Sequence, residues 1–134
     1  MKLRIPGLAL AAVLVVCLLA ACARPPKAPQ PGEVTVLAKA FVDLLARGDF
    51  AGATQSFDAT MKTAMPPDKL QTTWTQLSNA AGSYVRQIST RTEQSGGFTA
   101  VYVTCEFEKT KLDIKVVYNS AKQISGLFFL SSQA

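Results

Sequence analysis

The chain has 134 residues, 49% of them hydrophobic, with fourteen Lys and Arg against nine Asp and Glu and a formal charge of +5. That length holds one domain at most. Histidine is absent, which excludes Ser-His-Asp and Cys-His catalysis and most zinc sites.

The N-terminus carries Lys2 and Arg4, and no charged side chain follows until Arg24. A basic head, an apolar middle and small residues near the end are the layout of an export signal. A membrane span is the rival reading, but Pro6 and Gly7 interrupt the start. From Leu8 to Ala23 the run then falls short of the about 18 apolar residues that a span needs. Leu19-Ala20-Ala21-Cys22 resembles the bacterial lipobox, in which small side chains let the backbone enter a peptidase and a thiol sulfur is alkylated to a stable thioether. The resemblance implies cleavage between Ala21 and Cys22, a signal peptide over 1–21, and lipid on Cys22. Two or more acyl chains then anchor the protein stably in a membrane. Ala23, rather than aspartate, follows the cysteine, which by the same resemblance favours an outer-membrane lipoprotein of the cell envelope facing the periplasm.

Without Lys2 and Arg4 the fourteen basic residues fall to twelve against nine acidic ones, about +3. With no basic run and a destination outside the cytoplasm, nucleic acid is not an expected partner. Cys17 lies in the signal and Cys22 takes the lipid, so Cys105 is left as one thiol with no partner for an intrachain disulfide.

Residues 22–32 hold Pro25, Pro26, Pro29 and Pro31. Such a linker is extended at about 3.1 Å per residue, a stalk of roughly 30 Å. Residues 33–134 form the domain. Val34, Leu37, Ala38, Phe41, Val42 and Leu45 recur at helical spacing, and Gly48 stops that helix. Asp49 caps a short helix through Phe50 and Ala53, with a further turn or two over Phe57 to Met61. Pro66 and Pro67 open a helix whose stripe is Leu70, Trp74 and Leu77, running to about Asn79.

Beyond Gly82 the apolar period becomes two. "YVRQISTRT", "FTAVYVTCEFEK", "KLDIKVVYN" and "QISGLFFL" read as four strands, parted by turns at Ser95-Gly96-Gly97, Lys109-Thr110 and Asn119-Ser120. Leu112, Ile114, Val116 and Tyr118 share one face, while Lys111, Asp113 and Lys115 share the other, so one face is oily and one wet. Val101, Val103, Cys105 and Phe107 likewise alternate onto one face, which makes Cys105 a core thiol. Helices followed by an antiparallel meander give an α+β fold, the helices packed on the sheet's apolar face.

"FVDLLARGDFAGATQSFDATMKTAMPPDKLQTTWTQL", with "VTCEFEK" and "LDIKVVYN…QISGLFF", resembles an uncharacterised bacterial domain, domain of unknown function 3887. That domain is often found in front of secreted α/β-hydrolases. The resemblance implies a fold like nuclear transport factor 2, a helical layer cupped by a curved four-stranded sheet. No Gly-x-Ser-x-Gly elbow occurs in the sequence, so the expectation is a domain acting alone or for a separate hydrolase.

Chemistry of the domain's own rests on few residues. Some enzymes of the cupped fold use an aspartate and a tyrosine inside the cone, which would here be Asp113 with Tyr102 or Tyr118 in a small isomerase or dehydratase. Asp113, between Lys111 and Lys115 at period two, reads instead as a solvated surface charge, as do Glu106, Glu108 and Lys109. The expectation is therefore a non-enzymatic module with no cofactor or metal, binding a protein partner or a small ligand. Trp74, Tyr102, Tyr118 and Phe129 are its pocket or interface candidates. Phe128 and Phe129 are adjacent on a strand, so one of them must point away from the core.

Overall fold

The structure is a computed structural model and describes residues 29–132. Helix α1, Pro31–Ala46, has proline at its entrance and Glu33 in its first turn, both suited to a helix N-terminus. It begins two residues ahead of the boundary read from the sequence. Its buried stripe is Val34, Ala38, Phe41, Val42 and Leu45. The helix closes with Gly48 N–H donating to Leu45 O and Asp49 N–H to Leu44 O, a Schellman pattern that satisfies two end carbonyls.

Asp49 at once becomes the cap of α2, Phe50–Thr54, its Oδ1 accepting from Gly52 N–H at 2.9 Å. Asp58 does the same for α3, Ala59–Ala64, accepting from Met61 N–H at 2.8 Å. Helix α4, Pro67–Ala81, runs two residues past the expected end and stops at Gly82. There φ is +87°, and a Cβ would lie 2.7 Å from the Glu108 Cβ, so this junction requires glycine.

Four strands follow, β1 Tyr84–Ser95, β2 Phe98–Phe107, β3 Lys111–Tyr118 and β4 Ile124–Ser131. They form one antiparallel sheet in the order β1-β2-β3-β4. Gly96 and Gly97, both at positive φ, make the two-residue turn between β1 and β2. At the β3–β4 turn Asn119 Oδ1 accepts from the N–H groups of Ala121 and Gln123.

The two edges are finished differently. β1 carries register shifts around Val85 and Ile88. The start of β4 is covered by the α2–α3 connection, where Ile124 N–H donates to Ser56 O and Asp58 N–H to Ile124 O. The helices lie on one face of the sheet. Val101, Val103, Cys105 and Phe107 from β2 meet Ile114, Val116 and Tyr118 from β3 beneath α1 and α4.

Candidate functional site

Of the residues singled out in the sequence, Ala21 and Cys22 lie outside the described residues. Trp74 is a core residue, its ring centroid 6.2 Å from Tyr84, 5.8 Å from Phe107 and 6.4 Å from Phe129. Tyr84 and Phe107 meet edge to face at 5.8 Å. Phe129 thus belongs to the same cluster, and its neighbour Phe128 is exposed on the other side of the strand. Tyr118 is buried in that core as well, and its Oη has no hydrogen-bond partner among the described residues. Burial pushes its phenol pKa above the ordinary value. Cys105 is fully buried, its thiol pushed up to about 12 chiefly by desolvation and then by the charges of Asp113 and Asp43. A thiol so placed is inert.

Tyr102 is on the opposite face of the sheet, and the register shows in what company. Arg91 pairs with Tyr102, Tyr102 with Lys115, and Lys115 with Phe128. One row therefore crosses all four strands as cation, ring, cation, ring. The Arg91 guanidinium lies 3.7 Å over the Tyr102 ring, and Lys115 Nζ is 5.3 Å from that ring and 5.5 Å from Phe128. Such contacts contribute about 0.5–1 kcal/mol each at exposed sites. The hydroxyl of Tyr102 donates to Glu93 Oε2 at 3.1 Å, fixing the ring beneath the cations.

Beside this ridge the next row is Glu93, Ala100, Val117 and Gly126. Its small residues leave a shallow groove of about 140 Å³ walled by Phe98, Ser95, Glu93 and Lys115. On the other side lies the row of Ser89, Thr104, Asp113 and Leu130. Phe98, Phe128 and Leu130 are each more than 40% exposed. This open face is the candidate binding surface.

Asp113 corrects the sequence reading. It is on the face expected, but it is only 2% exposed rather than solvated. The Thr104 hydroxyl donates to Oδ1 at 2.7 Å and Arg91 Nη2 to Oδ2 at 3.2 Å. Alternation assigns a residue to a face and says nothing of how tall its cross-strand neighbours are. Here Arg91, Thr104 and Leu130 roof the carboxylate. The face is accordingly not simply wet: Ala100, Tyr102 and Thr104 are also below 10% exposure. Glu106 does read as expected, on the surface. A hydrogen bond from Arg86 at 2.6 Å, with the charge of that guanidinium, holds its carboxyl below the usual range.

Chemically, the face offers stacking, ion pairing and apolar contact. Each oxygen of Asp113 accepts one contact from a neighbouring side chain, Oδ1 from Thr104 and Oδ2 from Arg91. Among the described residues no three metal-ligating side chains converge, and no helix is long and apolar enough to cross a membrane. Sequence reading missed Arg91, Glu93 and Phe98 as parts of this surface. A usable signal existed: a two-residue turn at Gly96-Gly97 fixes the pairing of Arg91 with Tyr102.

A family model described as "Protein of unknown function (DUF3887)" matches residues 38–127, from within α1 to β4. No curated protein and no solved structure matches the chain.

Proposed function

The chain belongs to the family of proteins of unknown function DUF3887, and we propose that it is a lipid-anchored envelope protein whose domain binds rather than catalyses. Anchoring rests on the N-terminal order of Lys2 and Arg4, an apolar run, Leu19-Ala20-Ala21-Cys22 and a proline-rich linker. Ala23 after the cysteine favours the outer membrane, with the domain in the periplasm. The helical layer on one face of a four-stranded meander supports a nuclear-transport-factor-2-like architecture.

One observation carries the non-catalytic part. The candidate carboxylate, Asp113, sits on the side of the sheet away from the helices with both oxygens engaged, while the space between helices and sheet is filled by side chains that include Trp74, Phe107, Tyr118 and Phe129. The partner is a protein that covers the Arg91–Tyr102–Lys115–Phe128 row, and a hydrolase supplied as a separate chain is the candidate that the sequence resemblance suggests.

Two measurements test this reading. Cys22→Ser leaves an unprocessed precursor without lipid, whereas the wild type yields a lipidated N-terminal peptide at Cys22 by mass spectrometry. An intact Met1 on the membrane-bound wild type would refute the anchor. Crosslinking in intact cells from a photoreactive residue at position 128 captures a discrete partner, and the yield falls with Lys115→Glu. Capture that is unchanged by the charge reversal would count against the face.

A further inference from the structure

The sheet has two unlike ends. At one lie the β1–β2 turn, the β3–β4 turn and the entrance of α1, and at the other the Glu108-Lys109-Thr110 turn between β2 and β3. The chain enters the domain at the first of these ends, and its point of entry is fixed. Pro29 is buried, and its carbonyl accepts from Thr99 Oγ1 and from Gln94 Nε2, each at 3.3 Å. Lys122 in the β3–β4 turn pairs with Glu33 of α1 at 3.2 Å, joining the helix entrance to the same end.

We propose that this end, with Phe98 at its rim, rests against the lipid surface, so that the domain stands on its β1–β2 hairpin and presents the β2–β3 turn outward. The inference rests on lipid attachment at Cys22. Cys22 and Pro29 are separated by residues 23–28, and seven residue steps reach about 25 Å even at full stretch. The ten residues of β2 span about 33 Å. A tether shorter than the sheet cannot let the domain invert.

The surfaces of the two ends agree with this. The proximal end offers Gly96, Gly97, Asn119 and Ser120 around Phe98, which is 46% exposed. Its Glu33 and Lys122 neutralise each other. An apolar ring among small, uncharged residues suits the headgroup boundary, where aromatic side chains settle. The distal end carries Glu106, Glu108, Lys109 and Lys111, whose desolvation against lipid would be costly.

The test uses the full-length lipidated protein in phosphatidylethanolamine/phosphatidylglycerol vesicles. A fluorophore is placed at Ser120→Cys or at Lys109→Cys, both exposed positions, while the buried Cys105 stays unlabelled. Headgroup-nitroxide lipids quench the Ser120 probe several-fold more than the Lys109 probe, and Phe98→Ser reduces that quenching without altering the Lys109 signal. Equal quenching at both sites, as from a domain lying on its side, overturns the orientation, as does stronger quenching at Lys109. Protein that does not float with the vesicles overturns the anchor, and the orientation with it, whereas floating protein with equal quenching leaves the anchor standing.

Discussion

Asp113 and Cys105 occupy opposite faces of the same two strands, and both illustrate what one side chain can tell. Asp113 is nearly buried with a partner on each oxygen. Thr104→Val removes the donor to Oδ1 and leaves a buried acceptor unpaired, a cost of about 1–3 kcal/mol. Urea midpoints measure it, and an unchanged midpoint would mean that the carboxylate is better hydrated than its geometry shows. Cys105 supplies a test in alkali. Its folded thiol is pushed up to about 12, whereas an unfolded thiol titrates near about 8.5. The unfolded chain therefore loses this proton first as pH rises. Stability contributed by the neutral thiol is complete below about pH 8.5 and is lost progressively towards about pH 12. Cys105→Val, apolar and near in size, flattens that alkaline decline, as read from urea midpoints between neutral and alkaline buffers. Parallel declines in the two proteins would show the thiol to be uninvolved. That Cys105 is a core residue was legible from alternation, because Val101, Val103 and Phe107 share its side. The depth of Asp113 was not, since it depends on the length of Arg91 across two strands.

At the scale of elements, local chemistry reads well where one residue type does one job. Asp49 caps α2, the two glycines turn β1 into β2, and Pro67 opens α4. The α4–β1 junction yields a prediction of the same kind. Gly82→Ala combines a positive φ with a Cβ 2.7 Å from that of Glu108 and costs about 1–3 kcal/mol, visible as a lowered thermal midpoint. Trp74→Ala opens the aromatic cluster that joins α4 to the sheet and costs about 3–5 kcal/mol. If its midpoint fell no further than that of an exposed substitution such as Thr75→Ala, Trp74 would not be the bridge described here. The cation and ring row was legible only in its first pair, Arg91 with Tyr102, which the Gly96-Gly97 turn sets, because the rest exists only across the other strands. Arg91, Tyr102, Lys115 and Phe128 are distant in sequence and become neighbours only when three registers are set at once.

For the whole molecule, one core joins α1, α4 and three strands, which makes the described domain a single cooperative unit. Tryptophan fluorescence and far-ultraviolet dichroism are expected to report one coincident urea transition; separate midpoints would divide the helices from the sheet. The outline of that unit, helices and then a meander, was legible because the apolar period changes once. The open face beyond the sheet was not, because periodicity registers what is covered and not what is left for a partner.

The treatment of the sheet margins has a further outcome for any protein held in a plane at high density. Two neighbours sharing a leaflet meet side by side again and again, which is the encounter that zips strands into continuous ribbons. The kinks at Val85 and Ile88 throw β1 out of step with any straight strand, and the loop crossing Ile124 occupies the first rungs of β4. Edge-to-edge pairing of copies is thus hindered at the first residues of β1 and at Ile124 of β4.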